Sequence, residues 1–149
     1  MKVFYNSWIA KVFTMIKDYS TVMLFGAVFT EDSSVSERTI YHEQAHAVQY
    51  RTLFCAGLVL ALIVSLFTEL SWWSVSLILI PVMLFYVWYV IEYIIRLLLY
   101  RNHYRAYRNI VFEREAVALQ FEYQKPEAER KYATAFSFMN FYKSKYEYY

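Results

Sequence analysis

The sequence predicts a mainly α-helical membrane protein, built on a two-helix transmembrane hairpin with amphipathic helices on its cytoplasmic face. Of 149 residues, 59% are hydrophobic and 21% are aromatic, with only 2 glycines and 2 prolines. That composition is too apolar for a soluble domain and too poor in turn residues for a β-sandwich. Two long apolar runs at 48–67 and 74–99 supply the second observation. We therefore interpret residues 1–149 as one membrane-embedded domain.

The first unit, residues 1–36, combines an amphipathic helix with a β-prone segment. Through residues 1–18, apolar side chains recur every three or four positions among charged ones, which is typical of a helix at a membrane surface. Residues 21–30 are short and β-prone, and Gly26 favours a bulge or a close backbone approach. Two interpretations stay open here: a short strand or hairpin, which needs a second strand or a bound peptide as partner, and a buried apolar segment.

The second unit, residues 37–67, is predicted as one helix that carries the first membrane span. Ser34 followed by Glu37 fits a capping box, so the helix is expected to begin one residue after this serine. At about 1.5 Å per residue, the run 48–67 is long enough to cross a bilayer. Cys55, the only cysteine, lies in that run and is expected to be buried as a small apolar side chain.

The second span, residues 72–99, is expected to run antiparallel to the first. The connection at 68–71 is so short that the two spans must form a hairpin. Trp72 and Trp73 are typical anchors at the far interface. Pro81 predicts a kink near the start of the second helix.

The distribution of positive charge predicts the orientation. All 15 Lys and Arg lie outside residues 52–95, and the hairpin turn carries only Glu69. The positive-inside rule therefore places both termini and the segment around residues 42–46 on the cytoplasmic side of an inner or plasma membrane. The net charge is only +2 and the cations are scattered, so the sequence does not indicate nucleic-acid binding.

Two further segments follow the hairpin. Residues 101–124 are predicted as a helix on the cytoplasmic side, with Asn109 capping its second half and Pro126 following its end. Residues 127–149 are charged and then aromatic, which favours an interfacial helix whose rings lie at headgroup depth.

An H-E-x-x-H motif, His42 to His46, begins just before the first apolar run and holds two of the three histidines in the chain. Residues four apart share a helix face, so both imidazoles can point at one metal ion. Glu43 lies one position further around, where it can take a proton from a water on that metal. The competing interpretation is a pair of surface histidines at the membrane interface.

A catalytic zinc ion usually has three protein ligands and an open position, so the motif needs a third ligand. The candidates on the same membrane face are Glu113, Glu115, His103 and Glu92. We rank Glu113 first because Ala116, one turn later, lets two helices approach closely. Glu115 is the alternative and His103 comes third.

Other polar residues receive weaker assignments. Glu92 lies four positions before Arg96, which favours an ion pair over a catalytic role. Gln49, one turn beyond His46, is interpreted either as a hydrogen-bond partner of a ligand or as a packing residue. The candidates for an oxyanion donor or a supporting contact are Tyr104, Tyr107, Arg108 and His103.

The motifs resemble those of the HtpX-type class of membrane-embedded zinc metallopeptidases, in which a transmembrane hairpin follows H-E-x-x-H. In that class the third ligand is the first Glu of an E-x-x-A-D-like motif. This resemblance implies Glu113 as the ligand, because residues 113–116 match through Ala116. Val117 stands where the class has Asp, so a carboxylate that would orient a ligand is missing.

A closer likeness is to a group of short, uncharacterised bacterial membrane proteins that look like minimal metallopeptidases. The stretches that carry it are 42–49, 85–93 and 106–116, and the likeness covers most of residues 20–120. It groups the motifs together and implies no substrate.

Taken with the resemblance, the sequence predicts a gluzincin-like zinc metallopeptidase that hydrolyses peptide bonds near the cytoplasmic membrane face. Zn²⁺ is the expected cofactor, with Glu43 as the general base. The expected partners are a peptide or membrane-protein substrate and the lipid bilayer, and two spans alone are compatible with a homo-oligomer. The alternative is a non-catalytic membrane scaffold or interaction protein with a structural or degenerate metal site.

Overall fold

The computed structural model describes residues 1–14, 20–69 and 72–149. It is mainly helical, with one small sheet. The strands are β1 (Val3–Phe4), β2 (Thr21–Leu24) and β3 (Ala27–Thr30). The α-helices are α1 (Trp8–Thr14), α2 (Glu37–Leu66), α3 (Leu79–Tyr100), α4 (His103–Arg108) and α5 (Val111–Leu119). Short 3₁₀ segments span Trp72–Ile78, Glu122–Gln124, Glu127–Glu129, Ser137–Tyr142 and Ser144–Tyr146.

Residues 21–30 form a β-hairpin, which confirms the strand interpretation. β2 and β3 pair antiparallel, and Phe25 and Gly26 make the two-residue turn between them. Both turn residues have positive φ, 52° and 79°, as a hairpin turn that matches the strand twist requires. Gly26 therefore serves a tight turn, whereas a bulge or close approach was expected. β1 pairs parallel with β3, so β2 lies at an edge of the sheet.

The prediction of one helix through residues 1–18 is wrong at its beginning. The chain starts with strand β1, and within the described residues the helix covers Trp8–Thr14. The sheet explains the difference, because β1 gains a backbone partner in β3 that the local pattern could not reveal. Positions 15–18 of the predicted helix lie outside the described residues.

Helix α2 begins two residues later than the capping-box pattern indicated. Ser36, with extended φ and ψ, is the N-cap, and its hydroxyl accepts a hydrogen bond from the backbone N–H of Thr39 at 3.2 Å. Ser34 is therefore not the cap. From the cap the helix runs without interruption to Leu66, so the H-E-x-x-H motif and the apolar run share one rigid axis.

The hairpin of α2 and α3 is packed closely at one point. A Cβ on Gly57 would lie 2.5 Å from Cα of Pro81, so the glycine lets the two backbones approach. Pro81 is the third residue of α3, where its missing N–H disrupts no helical hydrogen bond. A kink was predicted at Pro81; instead, α3 begins two residues before it, directly after the 3₁₀ segment Trp72–Ile78.

Two helices are long and apolar enough to cross a membrane: Glu37–Leu66 and the segment Ser76–Tyr100. Their outer faces are aliphatic and exposed, and Leu62, Leu66 and Leu98 are each at least 66% exposed. Cys55 also lies on this outer surface, so the prediction that it is buried within the protein is wrong.

Residues 101–124 form two helices instead of the single helix predicted. α4 ends at Arg108 and α5 begins at Val111. Asn109 lies at the break but does not cap α5, because its amide binds Arg105, Arg114 and the backbone of Tyr148. Its side chain instead ties the break to the end of the chain.

The expected helix over 127–149 is absent, and short 3₁₀ segments take its place. Phe138 is completely buried, with its ring 4.9 Å from that of Phe112 and 5.8 Å from that of Trp88. Burying a phenylalanine in the protein core stabilises the fold more than placing it at an interface, so the tail covers the core.

Candidate metal centre

Three side chains from two helices converge on one point. Nε2 of His42 and Nε2 of His46 lie 3.1 Å apart on α2, as the four-residue spacing predicted. Glu113 reaches them from α5: its Oε1 lies 3.1 Å from Nε2 of His46 and its Oε2 lies 3.4 Å from Nε2 of His42. One ligand atom from each residue lies within 4.8 Å of the others, so the group could hold a metal ion.

The chemistry of this group fits a divalent cation. Two imidazoles and one carboxylate are a donor set that zinc accepts. Oε2 of Glu113 is buried and has no hydrogen-bond partner in the described part of the chain. A buried carboxylate oxygen without a donor is costly, and a cation at this point would satisfy it.

The electrostatics of Glu113 favour its ligand form. Burial by itself raises the pKa of the Glu113 carboxyl, but the two imidazoles beside it hold that pKa well below its usual value. The hydroxyl of Tyr89 also donates a hydrogen bond to Oε1 of Glu113 at 2.8 Å. The carboxylate is therefore ionised and fixed in orientation.

Gln49 contacts Nδ1 of His46, the ring nitrogen that does not face the cluster. Its Oε1 lies 2.9 Å from Nδ1 of His46, and both side chains are buried. Nε2 of Gln49 donates to Oε2 of Glu115 at 2.8 Å and to the carbonyl of Phe112 at 3.1 Å. Gln49 is thus a hydrogen-bond partner of a candidate ligand, the first of the two interpretations given to it.

Glu43 lies beside the cluster without belonging to it. It is 8% exposed, lines the same cavity as His42 and His46, and is not among the three grouped residues. That leaves its carboxylate available for a proton-transfer role next to the cluster.

The cluster opens into a cavity of about 830 Å³. All four residues of β2 line one side of it, and α3 contributes Phe85, Tyr86 and Tyr89. The backbone N–H of Phe25, in the turn of the β-hairpin, donates a hydrogen bond to the hydroxyl of Tyr86 at 2.7 Å, which fastens the β-hairpin to α3. The sheet edge is thereby held beside the metal cluster.

Three of the four candidates for the third ligand lie outside the cluster: Glu115 and His103, and Glu92, which is described in the next paragraph. The carboxylate of Glu115 accepts from Gln49 and Ser137, and burial raises its pKa while those donors oppose the shift. His103 binds the hydroxyl of Tyr93 through Nδ1. The carboxylate of Glu115 and Nδ1 of His103 are thus each hydrogen-bonded to a protein neighbour.

Glu92 makes the predicted ion pair with Arg96, at 3.1 Å. The same carboxylate accepts from the backbone N–H of Val111 at 3.2 Å and from the hydroxyl of Tyr142 at 3.0 Å. It therefore secures the start of α5, which in turn fixes where Glu113 lies.

The remaining polar candidates line the same cavity as the three grouped residues. They are His103, Tyr104, Tyr107 and Arg108. Any of them faces the space that a bound molecule would occupy.

Two residues that support the site, Tyr89 and Ser137, were not predicted from the sequence. Tyr89 could have been found, because Phe85, Tyr89 and Tyr93 are spaced four apart and so share one face of α3. No local signal marks Ser137, which meets Glu115 through a contact between distant parts of the chain.

Comparison of the chain with protein-family models, with curated proteins and with solved structures finds no match.

Proposed function

We propose that this protein is a membrane-embedded zinc metallopeptidase that hydrolyses peptide bonds near the cytoplasmic membrane face. The observation that carries the proposal is the convergence of His42, His46 and Glu113 within 4.8 Å, with Glu43 beside them in one cavity. Two imidazoles, a carboxylate and an adjacent glutamate are the side chains that metal-assisted peptide hydrolysis needs.

The three grouped residues would hold the metal. Zinc bound by them supplies Lewis-acid chemistry, lowering the pKa of water toward neutrality and polarising a peptide carbonyl. All three residues line the cavity, where His42 is half-buried and His46 and Glu113 are 6% and 2% exposed. A substrate would therefore reach the metal from the cavity.

Glu43 acts as the general base and then as the general acid. It takes a proton from the attacking water and delivers it to the amine of the leaving peptide. Its location in a cavity wall at 8% exposure supports this role, since limited water access strengthens its interactions with reacting groups.

A peptide substrate would bind to the edge strand β2. Within the described residues, the sheet order β1-β3-β2 leaves one edge of β2 without a neighbouring strand, and β2 lines the cavity. An extended peptide can add to such an edge through backbone hydrogen bonds, which brings its own backbone alongside the metal group. This supports a peptide or an extended segment of a membrane protein as the substrate class.

The membrane placement rests on the surface of the two long helices. Only 28% and 17% of their most apolar windows are buried inside the protein, so most of that apolar surface faces outward. A core helix of a soluble protein would be largely buried. With all 15 Lys and Arg outside residues 52–95, the site and both termini lie on the cytoplasmic side of a bacterial inner membrane.

The donor that stabilises the oxyanion besides the metal would come from the cavity wall. Tyr107 and His103 are the candidates there. The hydroxyl of Tyr89 instead donates its hydrogen bond to Glu113.

Purified full-length protein in detergent, incubated with a library of quenched fluorescent peptides, tests the proposal. We expect Glu43→Gln to retain the metal of the wild type and lose hydrolysis, because the base is removed and no ligand is. Glu37→Gln, an exposed change on the same helix, is the matched control and should cleave normally. Equal cleavage by wild type and Glu43→Gln would sink the peptidase assignment and favour a scaffold with a structural metal.

A further inference from the structure

A chain of hydrogen bonds leads from the C-terminal tail to His46. The hydroxyl of Ser137 donates to Oε1 of Glu115, and Nε2 of Gln49 donates to Oε2 of the same carboxylate at 2.8 Å. Oε1 of Gln49 then meets Nδ1 of His46 at 2.9 Å. The last three of these side chains are at most 6% exposed, so water does not compete for their bonds.

The acceptors around Gln49 determine which way its amide faces. Its nitrogen points at a carboxylate oxygen of Glu115 and at the carbonyl of Phe112, both of which only accept hydrogen bonds. The amide oxygen must therefore face His46. An oxygen at Nδ1 requires the proton of the neutral imidazole on that nitrogen, which leaves the lone pair of Nε2 toward the cluster.

Ser137 reaches Glu115 because the residue after it is anchored. Phe138 is completely buried against Phe112, which lies in the same helix as Glu115. In the described part of the chain, Nδ1 of His42 has no comparable hydrogen bond. The chain of hydrogen bonds therefore orients the imidazole of His46 and not that of His42, and it begins at Ser137 in the C-terminal tail.

We propose that Ser137, Glu115 and Gln49 are positioning residues that hold His46 as a metal ligand, so that docking of the C-terminal tail sets the metal affinity of the site. The inference rests on the proposed metal site. It assigns the tail a role in metal retention that goes beyond covering the core.

We expect the loss of metal affinity to be smaller the more hydrogen bonds separate the changed residue from the imidazole of His46. Removing the direct partner of a ligating histidine commonly weakens metal binding by about 10–100-fold, so we expect a loss in that range for Gln49→Leu. Ser137→Ala removes a bond two steps away, and a loss on the order of 5-fold, the equivalent of one net hydrogen bond, is expected. Ser137→Thr keeps the hydroxyl and should restore wild-type affinity.

Titration of the metal-free, full-length protein in detergent with Co²⁺ tests the inference. Both the dissociation constant and the visible ligand-field bands are read, because the bands report ligand geometry independently of activity. Glu147→Ala is the matched control: it removes a tail acceptor of the Tyr100 hydroxyl, and this hydrogen bond leads neither to His46 nor to Glu113. We expect Ser137→Ala and Gln49→Leu to weaken binding and shift the bands, and Glu147→Ala to change neither.

Wild-type affinity and bands in both Ser137→Ala and Gln49→Leu would overturn the inference and leave the metal site standing. Equal weakening by Glu147→Ala would also overturn it, since loosening of the tail alone would then explain the result. A folded wild type that binds no Co²⁺ would overturn the proposed metal site itself, and the inference with it.

Discussion

Nε2 of His46 and Oε1 of Glu113 lie 3.1 Å apart, and this contact joins helix α2, which carries the motif, to helix α5, which follows the helix hairpin in the sequence. Both side chains are buried. In the metal-free protein the pair holds α5 against α2, so the same atoms that would bind a metal also contribute to the fold.

Acid should destabilise the metal-free protein through Glu113. Its pKa in the folded protein lies well below the ordinary value of 4.5, so the folded state binds this proton more weakly than the unfolded state does. Its stabilising contribution is therefore complete above about pH 4.5 and is lost as the pH falls toward the lower folded value. Thermal unfolding of the chelated protein in detergent, measured across that window, should show a steeper loss for wild type than for Glu113→Gln. An equal loss of stability with falling pH in wild type and Glu113→Gln would contradict this role of the Glu113 carboxylate.

Gly57→Ala should destabilise the helix hairpin. Helix propensity alone favours Ala over Gly by about 1 kcal/mol. The new Cβ would lie 2.5 Å from Cα of Pro81, however, and backbone cannot move aside as a flexible side chain can. Overpacking of this kind costs about 1–3 kcal/mol, so we expect a net loss. Thermal unfolding in detergent measures the change in stability, and Cys55→Ala on the outer surface is the control. A gain in stability for Gly57→Ala would contradict the close packing of α2 on α3.

Phe138→Ala should loosen the C-terminal tail. The side chain is completely buried, and truncating a buried phenylalanine costs about 3–5 kcal/mol. Met139→Ala, which changes the neighbouring residue at 48% exposure, should have little effect. Limited proteolysis and thermal unfolding compare the two variants. Similar behaviour of both would mean that the tail does not depend on this anchor.

The two candidate spans predict which positions a membrane-impermeant thiol reagent reaches. In a Cys55→Ala background, Glu69→Cys in the hairpin turn should be labelled from the periplasmic side of intact cells. Ser144→Cys in the tail should be labelled only after the inner membrane is opened. Both positions are exposed in the structure, so a failure to label would not come from burial. The reverse pattern would contradict the cytoplasmic placement of the site.

Local patterns in the sequence were sufficient to predict the motif helix. The spacing of His42 and His46 and the uninterrupted run that follows them specify a helix and a shared face, and α2 carries both. The start of the helix was misassigned by two residues because Ser34 and Ser36 both satisfy the local capping rule.

Contacts between distant segments decided what the sequence did not reveal. The break between α4 and α5 has no Gly or Pro to mark it, and Asn109 stabilises it by binding Arg114 and the backbone of Tyr148. The tail likewise carries an aromatic composition that suits an interface, yet Phe138 packs against Phe112 in the core. The periodicity of a sequence predicts single helices and strands, and it does not predict contacts between residues that are far apart in the chain.

The metal content of the purified protein tests the central claim most directly. We expect about one zinc per chain in detergent-purified wild type, and zinc-edge X-ray absorption that indicates two imidazole nitrogens and a carboxylate oxygen. Glu113→Gln should lose that metal, whereas Glu115→Gln, two residues away, should keep much of it. Wild type without near-stoichiometric metal, or equal metal loss in both variants, would contradict a centre built from His42, His46 and Glu113.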